Sequence, residues 1–123
     1  MPLATIWRDP KLVSDKKAVT IRNHLHKAMV EVLRVKPEEV ELRVRDIGRL
    51  DKNYMPVGIE IDTGTGKDQW RVNARVDIAT RIAAAINRSR AIPATWQGPN
   101  GPYVWLRVCE SAFVPIGHPE ALR

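Results

Sequence analysis

The chain has one cysteine, Cys109, in 123 residues, which excludes an internal disulfide and any cysteine-based metal cluster. It has a single phenylalanine and 6% aromatic residues. No apolar run approaches the roughly 20 residues that a membrane-spanning helix needs. No basic patch leads into an apolar stretch and a small-residue cleavage site at the N-terminus, so a cytoplasmic location is expected. Like charges never form a block of five or six, which argues against a disordered interaction tail.

What is present is the balance of a globular domain, with 44% hydrophobic and 28% charged residues. The length suits one domain spanning 1–123. The formal net charge of +6 favours acidic partners without choosing among nucleic acid, lipid and small carboxylates. Its arginines are scattered, as solvated faces would be.

Pro2 to Trp7 is short, apolar and β-branched, and Asp9-Pro10 closes it as a turn, which predicts a first strand. Ser14 or Asp15 can cap a helix whose apolar positions Ala18, Ile21, Leu25, Ala28, Met29 and Val32 share one face, and which ends near Val35 because Pro37 follows. Val40, Leu42 and Val44 alternate with Glu41, Arg43 and Arg45 in a second strand reaching Ile47, and Val57, Ile59 and Ile61 mark a third. Gly64-Thr65-Gly66 breaks it. A second helix is expected from about Trp70 to Ser89, with Val72, Val76, Ala79, Ala83 and Ile86 on its buried face and Ile78 and Ile82 flanking. After the turn-rich Gln97 to Pro102, residues Tyr103 to Glu110 alternate as a fourth strand, and Phe113-Val114 reads as a short extra one.

The order is β-α-β twice, in units of about 1–54 and 55–117, opened by Met1-Pro2 and Met55-Pro56. The fold class is α+β in two layers, with helices on one face of the sheet. The other face would carry Glu41, Arg43, Arg45, Tyr103, Trp105, Arg107 and Cys109. Arginine mixed with large aromatics there is expected to meet other subunits or a ligand.

Met-Pro opening a strand, a capped helix, the connection Val35-Lys36-Pro37-Glu38-Glu39-Val40 and an alternating second strand together resemble the building block of the tautomerase superfamily, the 4-oxalocrotonate tautomerase unit. The doubled arrangement is similar to the two-unit members, the 5-carboxymethyl-2-hydroxymuconate isomerase and macrophage migration inhibitory factor groups. The resemblance implies a cofactor-independent tautomerase or isomerase acting on a small anionic enol or 2-oxo acid, assembled as a homotrimer with contacts near Ile47 to Met55 and Phe113 to Ile116. It implies Pro2 as the catalytic base. An α-amino group has a reference pKa near 7.7–8.0, and once Met1 is removed, burial and nearby cations would push the Pro2 amine down into its neutral, basic form.

The resemblance also places an arginine early on strand two, another in the loop after strand one, and an aromatic after strand two. Here the strand-two position is Glu41, so Arg43 and Arg45 on the same face are the expected substrate-binding cations. The loop after strand one offers Lys11, and Tyr54 stands at the aromatic position. Tyr103, Trp105 and Arg107 on strand four could reach a neighbour's site.

Other signals carry less. His24 and His26 point to different helix faces and cannot easily share a metal. Asp62 to Lys67 lacks the spacing of a phosphate loop. Two alternatives remain: a non-catalytic trimeric relative of the fold, and a ferredoxin-like nucleic-acid-binding module. The latter is disfavoured because the fourth strand has no Gly-Phe-Gly-Phe core.

Overall fold

The computed structural model describes residues 2–48, 50–51, 55–96, 101–110, 116 and 119–122. Along the chain run β1 (Leu3–Arg8), α1 (Asp15–Leu33), β2 (Glu41–Asp46), β3 (Val57–Thr63), α2 (Trp70–Asn73), α3 (Arg75–Arg88) and β4 (Tyr103–Val108), with short 3-10 turns between several of them. The expected extra strand at Phe113-Val114 and the aromatic Tyr54 lie outside the described residues.

The four strands form one sheet in the order β2-β1-β3-β4. β1 and β2 are parallel neighbours, β3 and β4 likewise, and β1 meets β3 antiparallel. Each β-α-β unit is therefore unsplit, which sets the sheet apart from the split arrangement of ferredoxin-like modules.

α1 starts where the sequence places it. The Ser14 hydroxyl accepts the Lys17 N–H at 3.2 Å, a cap that contributes about 1 kcal/mol. The helix ends at Arg34, whose left-handed backbone (φ 57°) returns its N–H to the Val30 carbonyl. Pro37 then opens a 3-10 turn leading into β2. Ile21, Leu25 and Met29 of α1 are fully buried in one core with Ala4 and Ile6 of β1 and Ile59 and Ile61 of β3. Burying each such branched side chain contributes about 1.5–3 kcal/mol.

The second helix departs from expectation. It is broken at Ala74, so the apolar phase restarts at Arg75, and the buried stripe is Ile78, Ile82 and Ile86 instead of the Val72–Val76 face. Val76 is 75% exposed. The Met-Pro echo between the units is also out of phase. Ala4, two residues after Pro2, faces the helices, whereas Val57 does so directly after Pro56. An even sequence offset cannot superpose two strands whose inward positions have opposite parity.

The face away from the helices is open, as the alternation requires. Across the strands it reads Glu41-Leu3-Asp62-Arg107, then Arg43-Thr5-Glu60-Trp105, then Arg45-Trp7-Gly58-Tyr103. Trp7, Tyr103 and Trp105 are all exposed there. No helix among the described residues is long and apolar enough to cross a membrane.

Candidate active site

Pro2 is buried at the head of β1, and its carbonyl accepts the Glu41 N–H at 3.0 Å. Leu3 stands opposite Asp62 in the antiparallel pair, so one step back along β1 sets Pro2 opposite Thr63. Opposed residues in such a pair have Cα atoms about 4.5–5.5 Å apart, and alternation puts both side chains on the helix side with Ala4 and Ile61.

An arginine that the sequence reading left among the scattered cations occupies this end of the sheet. Arg71 donates from Nη1 to the Thr63 hydroxyl at 3.2 Å and to the Gly64 carbonyl at 3.3 Å, and from Nη2 to the Leu33 carbonyl at 3.0 Å. Its guanidinium thus joins the end of α1 to the end of β3, beside Pro2. Nε is buried without a hydrogen-bond partner among the described residues. Burial pushes the Arg71 pKa below its ordinary value, opposed by the charge of Glu39, yet a guanidinium starts so far above neutrality that the group stays cationic.

The chain pays for this placement with unusual backbone. Asp68 and Gln69 both adopt left-handed φ, 55° and 56°, and Gly66 lies at 74°. A Cβ on Gly66 would meet the Trp70 indole nitrogen at 2.5 Å, so glycine is required for both conformation and space. Trp70 in turn has the Arg34 guanidinium 4.5 Å and the Arg71 guanidinium 5.4 Å from its ring centroid, within cation–π range. The sequence signal for this cluster was the Gly64-Thr65-Gly66 break, which lies at the Pro2 end only because β3 runs antiparallel to β1.

The cations expected at the site are distributed differently. Arg43, on the open face, is held by Glu41 at 2.9 Å. Arg107 clamps both oxygens of Asp62 at 2.6 and 2.9 Å and reaches Glu60 at 3.4 Å. Its guanidinium lies 5.5 Å from the Trp105 ring centroid. The pair with Asp62 raises the Arg107 pKa well above the ordinary arginine value and holds the Asp62 carboxyl below the usual carboxylate range.

Arg45, Tyr103 and Lys11 lie toward the opposite end of the sheet. Arg45 donates to the neighbouring Val44 carbonyl, and the Tyr103 ring covers Gly58 so closely that a Cβ there would meet it at 2.7 Å. Lys11 follows β1, in a turn where its backbone N–H donates to the Asp9 carboxylate at 2.9 Å. At about 3.3 Å per residue, β1 keeps this end roughly 20 Å from Pro2. Within one chain, then, Pro2 is grouped with Arg71, Thr63 and Glu41, while Arg45, Tyr103 and Lys11 are grouped apart from it.

No family model and no curated protein matches the sequence. Solved structures do match the fold. A fused 4-OT wild-type symmetric trimer superposes with a TM-score of 0.68 at 12% identity, over 98% of this chain and 96% of that one. Malonate semialdehyde decarboxylase gives 0.65 at 14% identity, over 97% and 93%. Leishmania major MIF2 gives 0.54 at 20% identity, over 88% of each chain. The chain has the fold of the tautomerase superfamily, as its resemblance implied.

Proposed function

We propose that this protein is a cofactor-independent tautomerase or isomerase of small carboxylated enols or 2-oxo acids, working in the cytoplasm, with the amine of Pro2 as its base. One observation carries the reading: a buried Pro2 opposite Thr63, whose hydroxyl accepts from the partly desolvated Arg71 guanidinium. Proteins of this fold include a malonate semialdehyde decarboxylase, whose structural description covers decarboxylase and hydratase activities and an alanine variant of its first proline. A member of a cis-3-chloroacrylic acid dehalogenase family shares the fold as well.

The chemistry follows from the residues. With Met1 removed, the neutral secondary amine accepts a proton from the hydroxyl of an enol, or from the carbon beside the carbonyl of a 2-oxo acid. The electron pair left behind makes the enolate, and the protonated amine returns the proton to carbon in the first case and to oxygen in the second. Nothing is gained or lost overall. Arg71 supplies the positive charge that the enolate or a carboxylate needs, in a site where burial strengthens that attraction. Lys11, Arg43, Arg45, Tyr54, Tyr103, Trp105 and Arg107 remain candidate contributors through a homotrimer in which the open sheet face is covered by neighbouring chains.

Intact-mass measurement should find Met1 absent, and Pro2→Ala should lower turnover of an enol test substrate by about 10²–10⁴, the range for losing a positioned base. Met1 retained on every molecule, or full activity in the variant, would end the proposal. Light scattering should give three chains per particle. A stable monomer at micromolar concentration leaves the open face without its covering.

A further inference from the structure

The end of the sheet opposite Pro2 holds a pocket of a different chemistry. Between α3 and the first residues of β3 and β4 lies a cavity of about 260 Å³. Its walls include Val57, Ile59, Ile86 and Ile92, each at most 7% exposed, and the half-buried Val104. Among the described residues, none that lines it carries a charge. Asn87 also lines the space, and its side-chain amide has no hydrogen-bond partner among the described residues.

We propose that this cavity is a second ligand site, specific for a neutral aromatic molecule of about benzene to indole size with a single hydrogen-bonding group. Volume sets the size, because an apolar cavity of roughly 150 Å³ already accommodates benzene. Lining chemistry sets the charge. A carboxylate would lose water here with no cation among the described lining residues to replace it, which disfavours a charged ligand. An N–H or O–H on the ring edge would find the Asn87 carbonyl oxygen. The site is thus complementary to the Pro2 end, where Arg71 selects for negative charge, and it does not depend on what happens there.

Methyl-resolved NMR of the full chain tests this, with indole as the probe and benzoate as the anionic control. Indole should shift the methyl signals of Val57, Ile59, Ile86, Ile92 and Val104 to saturation, and benzoate should bind at least about tenfold more weakly, a factor worth about 1.4 kcal/mol. Ala83→Phe, which fills the cavity, should abolish the indole shifts, and Pro2→Ala should leave them unchanged. If Ala83→Phe does not fold, the wild-type titration decides alone. Shifts absent up to the solubility limit of indole, shifts centred on other methyls, equal binding of benzoate, loss of binding in Pro2→Ala or its retention in a folded Ala83→Phe would each overturn the assignment.

Discussion

The two β-α-β units share a topology but differ in how the chain enters the helix. In the first, a serine-capped α1 runs unbroken over 19 residues and buries seven side chains. In the second, the path from β3 passes through left-handed Gly66, Asp68 and Gln69, no side chain caps the helix, and a break at Ala74 divides it. Left-handed backbone at a non-glycine residue costs about 1–2 kcal/mol, so two such residues are a burden that regular geometry would have avoided. Because β3 is antiparallel to β1, this irregular entry lies beside Pro2. The second unit thus spends backbone strain at the first unit's end, where it holds Trp70 and Arg71, as strained segments often do at functional sites.

If that division of labour is correct, Arg71→Ala should lower kcat/KM for a carboxylated enol by about 10²–10³, the usual loss for a donor aimed at developing charge. Arg71→Lys should recover part of it, since the charge remains and the fork geometry does not. Asn87→Ala, at the other end of the sheet, should leave turnover unchanged. Equal losses from Arg71→Ala and Asn87→Ala would erase the distinction between the two ends, and steady-state kinetics on the three variants settles it.

Packing offers the next contrast. Ile21 of α1 and Ile86 of α3 are both buried, but Ile86 already borders the 260 Å³ cavity. Truncation costs the transfer of the lost methyl groups plus whatever contacts the new void forfeits. Ile21→Ala should therefore cost about 4 kcal/mol and Ile86→Ala nearer 2, within the measured span for such changes. Denaturant unfolding with unchanged m-values checks this, and a larger loss at Ile86 would mean that the cavity closes up in solution.

Much of this was legible in the sequence because each signal was local and periodic. Val40 to Arg45 alternates cleanly, and so does Tyr103 to Val108, which was enough to assign the open face. Ser14 before an apolar face of period 3.6 was enough for α1. The break at Ala74 was not legible, since alanine is the best helix former and marks no ending. Neither was the position of Arg71. Its partners are Leu33, 38 residues away, and Thr63 and Gly64, and only the antiparallel meeting of the two units brings these ends together. The Met1-Pro2 and Met55-Pro56 echo marks where β1 and β3 begin, at Leu3 and Val57, but not which face they present, because letters repeat along a chain regardless of where they will point.

The smallest predicted effect compares the two edge strands of the open face. On β2, Arg43 is paired with Glu41 through one carboxylate oxygen, whereas on β4 Arg107 grips both oxygens of Asp62. The bidentate pair, chiefly its hydrogen bond to Arg107, holds the Asp62 pKa below its ordinary value. A carboxyl with a depressed folded-state pKa binds fewer protons folded than unfolded. Its stabilisation is complete above the unfolded value of about 4 and disappears as pH falls through the folded one. The pair is largely exposed, so solvent screening keeps the contribution small. Thermal unfolding should show Asp62→Asn slightly less stable than wild type at pH 7, with the difference narrowing below pH ~4 and gone once both states are protonated. Arg43→Gln should lower Tm by less at pH 7, because it breaks the weaker grip. A difference for Asp62→Asn that persists undiminished in strong acid would mean that the carboxamide disturbs packing on the open face, and that the ion pair on β4 adds nothing over the one on β2.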